Sequence, residues 1–218
     1  MTRHRLTQNL FMLLACGGVF VAGYQLTLRH ALRQPERWSS ALPWDAWVPF
    51  WPASIVAYLS INVAYALAFL LTREVRHLHQ LAARIVVVQW LSFICFWIWP
   101  MHMERHWPPM DDAWSAWYQG LAAFDGPSNL LPSLHVAILG ILWRHCRASL
   151  KTRTQRVALD VWALCVLVSA LTTWQHHVLD VLAGALLSGA VIQAIRWHEP
   201  VRQNDAPLGQ HQIGSSSA

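Results

Sequence analysis

Two short stretches of this chain combine ionisable side chains with apolar helical sequence. "NLLPSLHVAILG" (129–140) carries His135 at the mouth of an apolar run, and "WQHHVLD" (174–180) carries His176 four residues before Asp180. Residues four apart share one face of a helix, so the carboxylate can fix the imidazole tautomer and stabilise its cation. A nucleophilic or general-base histidine needs such a partner. The alternative is that Asp180 only caps a helix and that the histidines lie among lipid headgroups.

The same regions offer groups that can bind an anion. Ser133 lies beside the free N–H groups of a predicted helix start, and helix N-termini bind phosphate. Pro132 suits the first position of that helix. Arg105 can present a guanidinium fork to a phosphoryl group, or it can anchor its loop in the headgroups.

A metal site is the rival interpretation of the histidines in "HMERH". His102 and His106 are four residues apart, but two ligands are too few for a closed site and no third is evident. We therefore expect neither a metal nor another cofactor.

The composition indicates the elements that position these residues. Of the 218 residues, 55% are hydrophobic and 12% are charged, about half the charged fraction of soluble domains. The chain is thus predicted to be a membrane protein. Its net charge of +5 comes mostly from arginines between apolar runs, which favours a role in membrane orientation over nucleic-acid binding.

Six apolar segments approach the length of about 20 residues that crosses a bilayer. The third can extend back through residues 81–83, and the fourth can continue to residue 150. The first has no convincing signal-peptide cleavage site. The sequence therefore predicts an all-α polytopic bundle of six transmembrane helices, at residues 10–26, 50–71, 85–99, 132–142, 157–174 and 178–195.

The loop charges predict the orientation of this bundle. Twelve of the sixteen Lys and Arg residues fall on the side that holds both termini, which is therefore cytoplasmic. Arg105, the 133–135 stretch and the 176–180 stretch then meet at the outer, periplasmic face of the cell (inner) membrane. Ten of the fourteen tryptophans lie on that side as an aromatic belt.

The outer loop between the third and fourth segments contains its own helical pattern. Apolar residues recur at helical spacing over residues 114–124, after Asp111 and Asp112, which can cap a helix. The pattern predicts an interfacial amphipathic helix that either roofs a site or anchors the loop. The polar tail at 200–218 is predicted to be disordered, which leaves residues 1–199 as the membrane domain.

"PSLH" followed by "HHVLD" resembles the type 2 phosphatidic acid phosphatase superfamily of lipid phosphatases. The resemblance covers about residues 50–190 and is strongest to the branch that holds inositol phosphorylceramide and sphingomyelin synthases. Residues that match the second and third signature blocks are Ser133, His135, Ser169, His176 and Asp180.

The chain departs from the family pattern at the cationic phosphate ligands. Ala170 stands where the third block has Arg, and Ile98 stands where the first block has Lys. Arg105 can serve as the Arg of the first block, while the only lysine, Lys151, lies on the cytoplasmic side. Both departures, at the Arg of the third block and at the Lys of the first block, are shared with the synthase-like branch of the family.

The resemblance implies a metal-independent lipid phosphatase with a phosphohistidine intermediate. His176 would attack phosphorus, Asp180 would orient it, and His135 would act as acid and then as base. Expected substrates are phosphatidic acid-like or prenyl pyrophosphate lipids. Alternatives are a phospholipid headgroup transferase and a non-catalytic transporter or scaffold. The expected substrate-binding residues are Arg105, Ser133, Ser169 and His177.

Overall fold

The computed structural model describes residues 3–35, 38–110 and 113–196. These ranges contain seven α-helices and no β-strand, which confirms the predicted all-α class. The predicted tail at 200–218 lies outside the described residues. The helices are α1 (Arg3–Leu32), α2 (Ile55–Leu71), α3 (Val75–Ile98), α4 (Trp114–Phe124), α5 (Leu134–Ser149), α6 (Arg153–Thr172) and α7 (Val178–Ala194).

All six predicted apolar segments form helices. Among the described residues, α1, α2 with its preceding turn, α3 and α6 are long and apolar enough to cross a membrane, while α7 is apolar but shorter. Large apolar side chains stay exposed on these helices, including Leu14 and Leu186 at 65% and 75% exposure. Such surfaces are typical of lipid-facing helices and support membrane association. Crossing of the membrane stays a prediction for all six of the helices that contain the predicted segments.

The predicted helix boundaries need correction beside the candidate residues. Pro132 does not take the first helical position, because Ser133 is the N-cap of α5 and accepts a hydrogen bond from the Val136 N–H. His176 and Asp180 do not share a helix face, because α7 begins at Val178. Trp174 lies in the turn before it with a positive φ of 55°. The second segment likewise becomes α-helical only at residue 55, after a short 3-10 turn.

α5 lies at the centre of the bundle and packs against α2, α3, α6 and α7. Its approach to α7 depends on Gly184, where an added Cβ would lie 2.4 Å from the backbone oxygen of Ser133. Gly140 permits a similar approach to Ser188 on the opposite helix. The absence of side chains at these two positions lets α5 and α7 pack closely against each other.

The helix predicted in the outer loop is present as α4. It buries Tyr118 and Leu121 against the apolar cluster that includes Tyr58 of α2. Its interfacial position stays a prediction, and the capping residues Asp111 and Asp112 lie outside the described residues. Residues 101–110 contain no helix, so His102 and His106 do not share a helical face as the metal interpretation requires.

Candidate active site

Two carboxylates hold the N-terminus of α7. The His177 N–H donates to Asp180 Oδ2 at 2.8 Å, and the Val178 N–H donates to Asp45 Oδ1 at 2.8 Å. Both acids are buried, and Asp180 is fully buried. Negative charge at a helix N-terminus is stabilised by the backbone amides and the helix dipole. The capping role considered for Asp180 is therefore real, and the same carboxylate also lies beside two imidazole rings.

His176 is positioned by the turn that precedes α7. Its N–H donates to the Ala170 carbonyl at 3.0 Å, and its Nδ1 lies 3.7 Å from Asp180 Oδ2. That distance gives electrostatic contact without a hydrogen bond. Because Nδ1 faces the carboxylate, Nε2 lies on the other edge of the ring. His176 lines a cavity of about 120 Å³.

His135 lines the same cavity from the first turn of α5. Its ring stacks on that of Tyr58, with centroids 3.9 Å apart and planes inclined by 9°. Its Nε2 is buried and has no hydrogen-bond partner. Ser133 connects this turn to α7, because its N–H donates to the Asp180 carbonyl at 2.9 Å. The structure thus brings both histidines to one cavity.

Arg105 lies behind the main chain of His176 rather than along the cavity wall. Its guanidinium donates to the carbonyls of Asp45 at 3.3 Å and His176 at 3.5 Å, and it lies over the Trp174 ring at 5.1 Å. Burial lowers the pKa of Arg105, against the opposing effect of the Asp45 and Asp180 charges. Its Nε is buried and has no hydrogen-bond partner.

Ser133, Ser169 and His177, all expected to bind substrate, do not line the cavity. The Ser169 hydroxyl donates to the Val166 carbonyl within α6 at 2.6 Å. His177 Nδ1 lies 2.9 Å from the Ser40 hydroxyl and 3.8 Å from Asp180 Oδ2. Burial lowers the pKa of His177, although the neighbouring Asp180 and Asp45 charges act in the opposite direction. These contacts suit structural roles, that of Ser169 within α6 and that of His177 at the start of α7.

A group of polar residues in the cavity, Tyr24, Tyr58 and Asp125, was not predicted from the sequence. Asp125, after α4, accepts hydrogen bonds from the hydroxyls of Tyr24 and Tyr58, the latter at 3.3 Å. Burial raises the pKa of Asp125, opposed by these hydrogen bonds and by the charge of His176. The available signal was an acid in the loop that leads into "PSLH", but Asp125 in "FDGPSN" belonged to no motif block.

A larger cleft of about 480 Å³ adjoins this cavity and shares Tyr58, Asp125 and His135 with it. It is bounded by α1, α2 and α4, so α4 forms part of the wall of the candidate site. Within the described ranges, neither space is lined by Lys or Arg. The described residues also contain no group of three His, Cys, Asp or Glu side chains able to hold a metal.

Comparisons with known proteins find no relative, because no family model, no curated protein and no solved structure matches the chain. The most informative feature of the site is the pair His135 and His176, which line one cavity. Asp180 lies on the Nδ1 side of the His176 ring. Such a set can transfer a group by nucleophilic attack and acid–base catalysis.

Proposed function

We propose that the protein is a membrane-embedded enzyme that breaks a phosphate ester bond of a lipid through a phosphohistidine at His176. The observation that carries the proposal is the shared cavity of His135 and His176, with Asp180 on the Nδ1 side of His176. In the proposed topology six helices cross the membrane, both termini are cytoplasmic and the cavity opens towards the outer face. The distribution of Lys and Arg among the loops supports that orientation.

The proposed reaction has two half-steps. Nε2 of His176 attacks phosphorus, the ester bond breaks, and the leaving oxygen takes a proton from His135. The same histidine then removes a proton from water or an acceptor alcohol, whose oxygen attacks phosphorus and releases His176. The negative charge of Asp180, 3.7 Å from Nδ1, stabilises the positive ring that forms during the attack.

Phosphoryl transfer depends mainly on positioning and charge stabilisation, so the charge of the cavity helps to determine which substrates it favours. Hydrolysis of a phosphatidic acid-like lipid or a prenyl pyrophosphate is the first candidate. Headgroup transfer between lipids is the second, and it is favoured by a lining without Lys or Arg among the described residues. A phosphodiester carries less negative charge than a phosphomonoester and needs fewer cationic ligands.

The test is a panel of lipids carrying radioactive phosphorus, given to the purified full-length protein in detergent with EDTA present. Free phosphate identifies a hydrolase, and a labelled phosphodiester lipid formed from an added acceptor alcohol identifies a transferase. The His135→Ala/His176→Ala double variant measures the background. The proposal would be contradicted if the wild-type protein were no more active than this variant on any lipid of the panel. That result would favour the transporter or scaffold.

Gly120 offers a test of the cleft beneath α4. A Cβ added there meets no atom within 4 Å, and Gly120 lines the larger cleft. Gly120→Trp is expected to fill the cleft and lower turnover of a long-chain lipid by about tenfold or more, because a displaced substrate loses its alignment. Gly120→Ala should behave like wild type. An equal loss with a dihexanoyl lipid of the same headgroup would show that the cleft does not guide the chains.

A further inference from the structure

Arg84 of α3 is a buried arginine with no carboxylate beside it. The residue is 7% exposed, and its Nη2 donates to the carbonyl of Ile195, the C-cap of α7, at 2.9 Å. Its Nε is buried and has no hydrogen-bond partner. Among the residues that the structure describes, no Asp or Glu side chain lies within 4 Å of the guanidinium. A buried charge without a partner of opposite sign is costly, because it loses hydration that nothing replaces.

The ionisable groups near Arg84 add positive charge instead of offsetting it. Arg144, exposed on α5, is close enough for its charge to repel that of Arg84. His145, the next residue, is also close to Arg84, and its Nε2 lies 2.8 Å from the Thr72 hydroxyl. The C-terminus of α7 carries only a partial negative charge, so it offsets the repulsion incompletely. Arg84, Arg144 and His145 are here called the basic cluster.

The basic cluster lies where two apolar stretches end, on the side that is cytoplasmic in the proposed topology. Arg84 directly precedes the apolar residues 85–88 of α3, and Arg144 directly follows the apolar residues 136–143 of α5. Helices α3, α5 and α7 all pack against one another. Lipid phosphates lie at the level where apolar side chains give way to polar ones. Basic pockets between helices on the cytoplasmic side bind anionic headgroups.

We propose that the basic cluster binds the phosphate of an anionic phospholipid where α3, α5 and α7 meet. A phosphate oxygen would accept the free Nε hydrogen of Arg84 and reduce the repulsion between the two guanidinium groups. None of the three residues lines the cavity of the histidines or the adjoining cleft. The lipid at this place is therefore a bound structural component and not a substrate. Its binding depends on the proposed orientation and not on the proposed catalysis.

The first experiment measures binding to the purified full-length protein in detergent. The protein is titrated with dioleoyl phosphatidylglycerol, dioleoyl phosphatidylcholine or inorganic phosphate, and native mass spectrometry counts the bound molecules. Phosphatidylglycerol should bind about tenfold or more tighter than either alternative, because only this lipid combines net negative charge with acyl chains. Equal affinity for phosphatidylcholine, or no saturable binding of phosphatidylglycerol, would overturn the site. Inorganic phosphate that binds as tightly would overturn the assignment to a lipid.

Variants of the basic cluster test which residues hold the lipid. Arg84→Gln is expected to weaken phosphatidylglycerol binding by about tenfold or more, since a charge-assisted hydrogen bond is lost. Arg144→Gln, at an exposed position, should weaken binding as well and serves if Arg84→Gln does not fold. Arg153→Gln, exposed at the start of α6, removes the same charge and should bind like wild type. Equal weakening by Arg144→Gln and Arg153→Gln would show unspecific attraction and overturn the site.

The second experiment measures the effect of the lipid on stability. In phosphatidylcholine nanodiscs, replacing part of the lipid with phosphatidylglycerol should raise the melting temperature of the wild type by about 5 °C or more, as expected of a ligand far above its Kd. Arg84→Gln and Arg144→Gln should lose most of this gain, and Arg153→Gln should keep it. A full gain in both cluster variants would overturn the site. Neither measurement requires turnover, so a failure of the proposed reaction leaves this result intact.

Discussion

Replacing His176 with alanine is expected to abolish turnover, because the proposed reaction then has no nucleophile. Loss of a nucleophile in enzymes with covalent intermediates costs up to about a millionfold in rate. His135→Ala should cost about a hundredfold to ten-thousandfold, the usual contribution of a general acid–base group. The measurement is the initial rate on the best lipid of the panel. His106→Ala, at an exposed histidine of the loop between α3 and α4, should retain wild-type activity.

A trapping experiment separates nucleophilic attack from a merely structural role of His176. Protein incubated briefly with the phosphorus-labelled lipid and quenched in base should retain label that acid releases, as expected of a phosphoramidate. His176→Ala should retain none. His135→Ala should retain the label longer than wild type under the same conditions, since the second half-step has lost its base. Label that persists in His176→Ala would contradict the assigned nucleophile.

The elements of this fold were predictable because apolar segments of membrane-spanning length form helices that satisfy their own backbone. Their ends beside the site were not. The helix α7 begins only at Val178, because Asp45 and Asp180 accept its first N–H groups and the chain turns at Trp174. The Trp174 indole donates to the Val48 carbonyl, 126 residues away in sequence. No local pattern encodes such a contact.

Part of the candidate site was also beyond prediction from spacing. Loop charges brought His135 and His176 to one predicted membrane face, and the structure has both in one cavity. The partners of Asp125 could not be found in this way, since Tyr24 lies 101 residues from it. From sequence, a tyrosine in an apolar segment is predicted to be a core or interface residue. Only the structure shows that its hydroxyl donates to a carboxylate.

The position of His135 relative to His176 depends on how closely α5 and α7 approach, and Gly184 sets that approach. Gly184→Ala would put a methyl group 2.4 Å from the Ser133 backbone oxygen, so one helix must shift. Close-packed interiors do not absorb such an overlap without displacement, and the usual cost is about 1–3 kcal/mol of stability. Misplacement of reacting groups by about 1 Å costs about a hundredfold in rate. We therefore expect a large loss of activity.

Gly189 provides the matched control on the same helix, because an added Cβ there meets no atom within 4 Å. Gly189→Ala should keep full activity and gain up to about 1 kcal/mol from the better helix propensity of alanine. Initial rates and melting temperatures of both variants in the same detergent make the comparison. If Gly184→Ala matched Gly189→Ala in rate, the contact between α5 and α7 would not be what aligns the histidines. A loss confined to Gly184→Ala, in protein that still melts cooperatively, would tie catalysis to the missing side chain at this one crossing.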